Sequence, residues 1–185
     1  AVPWPAQGLY SKKAINSVND LKGLKFRAYN SATIRIAELT GMAPTKIEAA
    51  EISQAFSTGA VESMITSPTT GKNSKIWENG VGYFYDIAAW FPKNMVIVNK
   101  DAWNKLDSAT QKLIMSEAAV AEKKGWELSK KGNVADKKAL ADAGMKVGKV
   151  NSALEKHFQK VGATMADEWK AKAGSRGASV LAAYK

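Results

Sequence analysis

The chain has 185 residues, 45% of them hydrophobic and 24% charged, with a formal net charge of +10 and no cysteine. It is long enough for one ordinary domain or a small pair of lobes, cannot hold a disulfide framework or a thiolate metal cluster, and has no apolar run near the roughly 18 residues a membrane span needs. The positive balance admits either a nucleic-acid surface or a solvated basic face that draws in small anions; the lysines of "EKKGWELSKKGNVADKK" mingle with acids rather than forming a tract, which favours the second.

In chain order, "AVPWPAQGLY" is strand-like and punctuated by proline, without the basic and apolar regions of a signal peptide. Residues 24–28 alternate apolar Leu24, Phe26 and Ala28 with Lys25 and Arg27, which predicts a strand. Asn30 and Ser31 are capping residues for a helix over 31–40, with Ala32, Ile36 and Leu39 on its inner face and Gly41 as its stop. "APTKI" is a short extended piece, "AAEISQAFSTG" a helix burying Ile52, Ala55 and Phe56 and ending at Gly59, and "AVESMI" a strand. Ser67 followed by Pro68 marks the next helix start. "GYFYDIAAW" and "NMVIVNK" are β-rich.

The second half is helical. Ser108 and Gln111 have the spacing of a capping box. A long pattern follows through Leu113, Ile114, Ala118, Ala121 and Leu128, loosened at Gly125 and Gly132 and gone by Gly144. Asn151 caps a helix with Leu154, Phe158, Val161, Met165 and Trp169 on one stripe, and "GASVLAAYK" reads as a last short helix. Strands alternating with helices and then a helical run predict an α/β fold, a mixed sheet flanked by helices.

Motifs for catalysis are missing. There is no G-x-S-x-G elbow; "GVGYFY" has two of the three glycines of a dinucleotide fingerprint but opens a β run, and in "TSPTTGKNS" the first P-loop glycine would fall on Thr66. The lone histidine, His157, has no evident nucleophile partner, and no acidic or histidine cluster has metal-ligand spacing. The reading is therefore no catalytic residue, no metal and no cofactor.

What remains points to an anion. Arg27 ends a strand just before a helix N-terminus, where ligands of open α/β sheets bind and where free N–H groups gather. A guanidinium there can grip a carboxylate through two parallel hydrogen bonds. "MITSPTT" repeats the design with Ser67 at the cap. The competing reading makes Arg27 a surface strand residue paired with a glutamate. Trp4, Tyr85, Trp90 and Phe91 sit near strand ends, as pocket walls or as core.

"SVNDLKGLKFRAYNSAT", "AAEISQAFSTGAVESMI" and "MVIVNKDAWNKLDSATQKLI" resemble, in order, the solute-binding proteins of tripartite ATP-independent periplasmic (TRAP) transporters. The resemblance implies a two-lobed binder that closes over a small organic acid and delivers it to a membrane permease in the periplasm. It implies that Arg27 is the carboxylate anchor, that Asn30, Gln7 and Ser67 supply neutral contacts, and that Trp90, Phe91 and Asn94 lie near the cleft; the strand-end aromatics Trp4 and Tyr85 would join Trp90 and Phe91 in covering the organic portion. Glu62-Ser63 stands where the family has Asp-Gly. The resemblance further implies that this chain is the carboxyl-terminal portion of such a binder, without the first lobe: 1–90 as the second ligand-binding lobe, 91–125 as the strand and helix start of the interlobe region, and 126–185 as the long helix's continuation and the C-terminal helices. Uncovered apolar faces of "MVIVNK" and of the long helix would then favour self-association, each aliphatic side chain forfeiting roughly 1.5 to 3 kcal/mol of burial. A basic helical nucleic-acid-binding module is the alternative.

Overall fold

The computed structural model describes residues 1–183. In chain order the elements are β1 (Val2–Pro3), β2 (Gly8–Ser11), β3 (Lys25–Ala28), α1 (Ser31–Thr40), β4 (Ala43–Lys46), α2 (Ile52–Ser57), β5 (Ser63–Thr66), α3 (Pro68–Asn73), β6 (Tyr83–Tyr85), β7 (Lys93–Asn94), α4 (Lys100–Asn104), α5 (Ser108–Asp142), β8 (Lys146–Gly148) and α6 (Ser152–Ala183). Six strands form a mixed sheet in the order β4-β3-β5-β2-β6-β8, and β1 and β7 pair separately. β3 runs parallel to β4 and β5, whereas β2 is antiparallel to both β5 and β6.

Strand alternation sorts the side chains into two cores. Leu9, Phe26, Ala28 and Ile65 face α1 and α6 and meet Ile36, Ala37, Leu154 and Val161. Tyr10, Met64 and Phe84 face the other way and meet Ile52, Phe56 and Leu140. Arg27 pairs in register with Met64 and shares its side of the sheet. Helices on both faces make this the expected α/β fold.

Several local expectations shift. The inner face of α1 is Thr33, Ile36, Ala37 and Thr40; Ala32 is exposed. Thr33 turns inward because its hydroxyl, together with Asn30, closes the capping box. The cap of α5 is Asp107 rather than Ser108: its carboxylate accepts from the N–H groups of Ala109 and Thr110, both at 2.9 Å. A charged acceptor one residue earlier suits the positive end of a helix better, and Gln111 instead donates back to the carbonyls of Trp103 and Leu106. α5 then runs unbroken through Gly125 and Gly132. Its predicted inner stripe faces outward, with Leu113 61% and Leu128 58% exposed; the buried side chains of this helix are Asp136 and Leu140. The closing helix is present after a break at Gly174; Tyr184 and Lys185, its predicted end, lie outside the described residues.

The largest departure is "NMVIVNK". Only Asn94 enters a ladder, with Val2, while Val96 and Ile97 are 103% and 84% exposed. High β-propensity makes a strand only beside an edge that offers its N–H and C=O groups. Among the described residues no such edge lies alongside 95–98. "GYFYDIAAW" likewise supplies only three ladder residues, 83–85, before the chain turns irregular.

α3 lies hard against β2. A β-carbon at Gly71 would strike the hydroxyl and ring of Tyr10, whose side chain is fully buried. Gly71→Ala is expected to destabilise the fold by about 1–3 kcal/mol through overpacking, outweighing alanine's helix preference. An unchanged urea midpoint would show that Tyr10 can move aside.

Candidate ligand-binding site

The carboxyl ends of β3 and β5 open toward the N-termini of α1 and α3, and Arg27 stands at that edge. It is only 3% exposed. Its Nε donates to the Ile47 carbonyl at 2.9 Å, and its guanidinium carbon lies 4.6 Å from the centre of the Tyr29 ring. None of the ion pairs among the described residues includes it. Burial draws its pKa down, while Tyr29 and Glu48 push it back up; Glu48 itself pairs with Lys46. A guanidinium stays charged regardless. This is the surface-ion-pair reading reversed: a withdrawn cation without a carboxylate.

Tyr29, two residues on and just past the end of β3, shields it. Burial raises the Tyr29 phenol above its ordinary value, against smaller downward pulls from Arg27 and Trp90. Tyr29 was not among the sequence candidates, although its period-2 spacing from Arg27 is the signal that finds it.

Residues 4–7 and 89–92 run side by side. Trp4 N–H donates to Pro92 O at 2.7 Å, Gln7 N–H to Trp90 O at 3.0 Å, and Ala89 N–H to Gln7 O at 2.9 Å. Gln7, 2% exposed, also donates its side-chain Nε2 to Pro5 O at 2.9 Å. Trp4 reaches across to Ser67, its Nε1–H donating to Ser67 Oγ at 2.9 Å. The same oxygen caps α3 by accepting from Thr70 N–H at 3.0 Å and lies 3.0 Å from Thr70 Oγ1. With both lone pairs taken by N–H groups, the Ser67 O–H is the donor of the contact to Thr70 Oγ1, so this fully buried hydroxyl is a satisfied link between Trp4 and the start of α3.

Trp4, Gln7, Arg27, Ser67 and Trp90 therefore belong to one connected set with Tyr29. The other candidates stand apart from it. Asn30 spends its side-chain oxygen on Thr33 N–H at 2.9 Å. Tyr85 accepts from Ile15 N–H at 2.7 Å and packs with the α1–α6 core. Phe91 is 67% exposed, and Asn94 is an exposed ladder residue of β7. A cavity of about 720 Å³ opens on the α1–α6 side, between Ile36, Ile87, Trp90, Phe158 and Met165; of the candidates only Trp90 borders it.

The sequence profile of DctP, described as bacterial extracellular solute-binding protein, family 7, matches residues 6–172. An extracytoplasmic solute receptor of Bordetella pertussis that binds pyroglutamic acid is 42% identical, with a TM-score of 0.95 over 99% of this chain and 60% of its own. A TRAP solute-binding protein from a marine metagenome, specific for pyroglutamate, is 37% identical at the same TM-score and the same coverage. The sialic acid-binding periplasmic protein SiaP of Vibrio cholerae is 32% identical over 111 residues, 58% of this chain and 33% of its own. The chain thus spans 60% of those solved chains. The nucleic-acid alternative finds no support in these similarities.

Trp4→Phe keeps the aromatic bulk and removes the bond to Ser67. It is expected to cost about 0.5–1.5 kcal/mol in urea unfolding, the net worth of one neutral hydrogen bond; no loss would show that the indole N–H is satisfied elsewhere.

Proposed function

The chain belongs to family 7 of the bacterial extracellular solute-binding proteins, and from that premise we propose that it forms the anion-gripping part of a periplasmic binder for a small organic monocarboxylate of the pyroglutamate class, which hands its ligand to a TRAP membrane permease. The observation that carries the reading is Arg27, a buried guanidinium that pairs with no carboxylate among the described residues. A bound carboxylate would complete it through two parallel charge-assisted bonds. The Ser67 hydroxyl holds the Trp4 indole in place. Gln7 is neutral, which suits one carboxylate rather than two. Its carboxamide oxygen offers an acceptor for a donor such as a ring N–H. Trp4, Tyr29 and Trp90 supply flat apolar walls for a compact ring. Identities of 37% and 42% to two pyroglutamate-binding proteins support that ligand class. Asn30, Tyr85, Phe91 and Asn94 act, on this reading, through the walls and hinge rather than on the carboxylate.

In such a binder, 1–90 act as one ligand-binding lobe, 91–125 as the interlobe connection and 126–185 as the long helix's continuation with the C-terminal helices. The boundary at 125 falls inside the continuous α5, so the two last units move together.

In the complete protein, Arg27→Ala is expected to weaken pyroglutamate binding at least about tenfold by calorimetry, because charge-assisted bonds contribute roughly 1.5–3 kcal/mol. Unchanged affinity would remove Arg27 from the site. The isolated 185-residue chain, with Met95 60% and Val96 103% exposed, is expected to self-associate. Sedimentation coefficients should rise with concentration and fall back in a Val96→Lys, Ile97→Lys variant; a concentration-independent monomer overturns this.

A further inference from the structure

Asp136 is a buried carboxylate that the binding site as described does not use. It projects from α5, 4% exposed, and accepts from Thr69 Oγ1 at 2.6 Å and from Lys72 Nζ at 2.8 Å. Both donors belong to α3, the six-residue helix whose cap is Ser67. Thr69 is in its first turn, two residues beyond the cap. On its other side α3 rests on Tyr10, which donates to the Ser67 carbonyl at 3.0 Å and leaves no room for a side chain at Gly71. Burial, and after it the charge of Asp136, holds the Tyr10 phenol well above its ordinary value, so that phenol remains a donor.

A helix this short has little stability of its own. Its place is set by what grips it, and two residues grip it: Tyr10 from β2 and Asp136 from α5. Ser67 is the residue through which that placement reaches the site, because its oxygen takes the Trp4 indole N–H. We propose that Asp136 is a positioning residue for the carboxylate site: from the long helix it fixes α3, and so fixes the Ser67 hydroxyl and the Trp4 indole beside Arg27. The role rests on the functional reading above, since it concerns the same site. It does not require Asp136 to touch the ligand.

The acid is needed for its charge. In Asp136→Asn the amide oxygen can still accept from Lys72 and the NH₂ can turn to the Thr69 hydroxyl, but the carboxylate that holds the Lys72 ammonium as an ion pair is gone. The clasp loosens on the Lys72 side while the volume is unchanged.

The test uses the complete protein labelled with ¹⁵N-tryptophan. The Trp4 indole N–H resonance reports the bond to Ser67 without any ligand, and calorimetry with pyroglutamate reports the site. Asp136→Asn is expected to move the Trp4 resonance and to weaken binding roughly tenfold, the scale of one charge-assisted bond. Thr69→Val, at a half-buried position, removes the other arm of the clasp and is expected to move the same resonance in a fold that survives even if Asp136→Asn does not. Lys138→Met, which breaks only the exposed pair with Asp142 on the same helix, should leave both readouts as they are. A lowered melting temperature with an unmoved Trp4 resonance and unchanged affinity would make Asp136 a stabilising residue only and overturn the proposal. Absence of pyroglutamate binding in the unaltered protein would count against the functional reading instead, while the Trp4 resonance would still decide whether Asp136 sets Ser67.

Discussion

A positive charge withdrawn from water without an opposite charge beside it is among the costliest things a fold can hold. Arg27 is such a charge, and the end of the sheet is arranged to tolerate it. The Ile47 carbonyl meets one donor and the Tyr29 ring meets the cationic face. Neither neutralises it. What keeps the arrangement in place is the rest of the domain: β3 is flanked on both sides by parallel strands, and Phe26 and Ala28, the neighbours of Arg27 in the strand, are fully buried in the opposite core. Their packing fixes the backbone from which Arg27 projects, so the guanidinium is held in a defined place before an anion arrives, as pre-organised sites require.

The two helix starts near the end of the sheet are closed by their own caps. The Ser67 oxygen accepts from an indole and a backbone N–H and lies against Thr70 Oγ1. Asn30 plays the same capping part at the head of α1, and Thr33 answers it. What these helix starts keep is a residual positive partial charge. A net charge of +10 over the chain adds a diffuse attraction for anions, but direction comes from Arg27.

Much of this was legible in the residues. The alternation around Arg27 placed the strand, Ser67-Pro68 placed the start of α3, and Gly41 placed the end of α1, where the backbone turns to φ 77°. Each is a local signal read by a local rule. Other features follow from long-range contact and leave no local mark. Sequence could show Arg27 at a strand end but not that the strand would bury it. It could show an apolar stripe on α5 but not which side the sheet would occupy. The β-rich "MVIV" was rightly read as apolar and wrongly as a formed strand, because strand formation depends on a neighbouring edge rather than on the segment itself. The period-2 spacing of Tyr29 from Arg27 could put both on one side, but only the fold shows the ring over the guanidinium.

The unbroken length of α5 has a mechanical corollary. Near one point it holds the ribbon strand β1: Gly125 packs against Val2 with no room for a β-carbon, and Trp126 donates to the Ala1 carbonyl. Further on, Asp136 holds α3. Between Trp126 and Asp136 the helix rises about 15 Å at 1.5 Å per residue. Tilting such a rod by about five degrees about one grip displaces the other by about 1.3 Å, more than the latitude of a hydrogen bond. An independent motion of the ribbon β1–β7 and the sheet would therefore strain one grip or the other. The bond from Trp126 is exposed, while Asp136 is almost wholly enclosed, so the ribbon is the looser of the two joints.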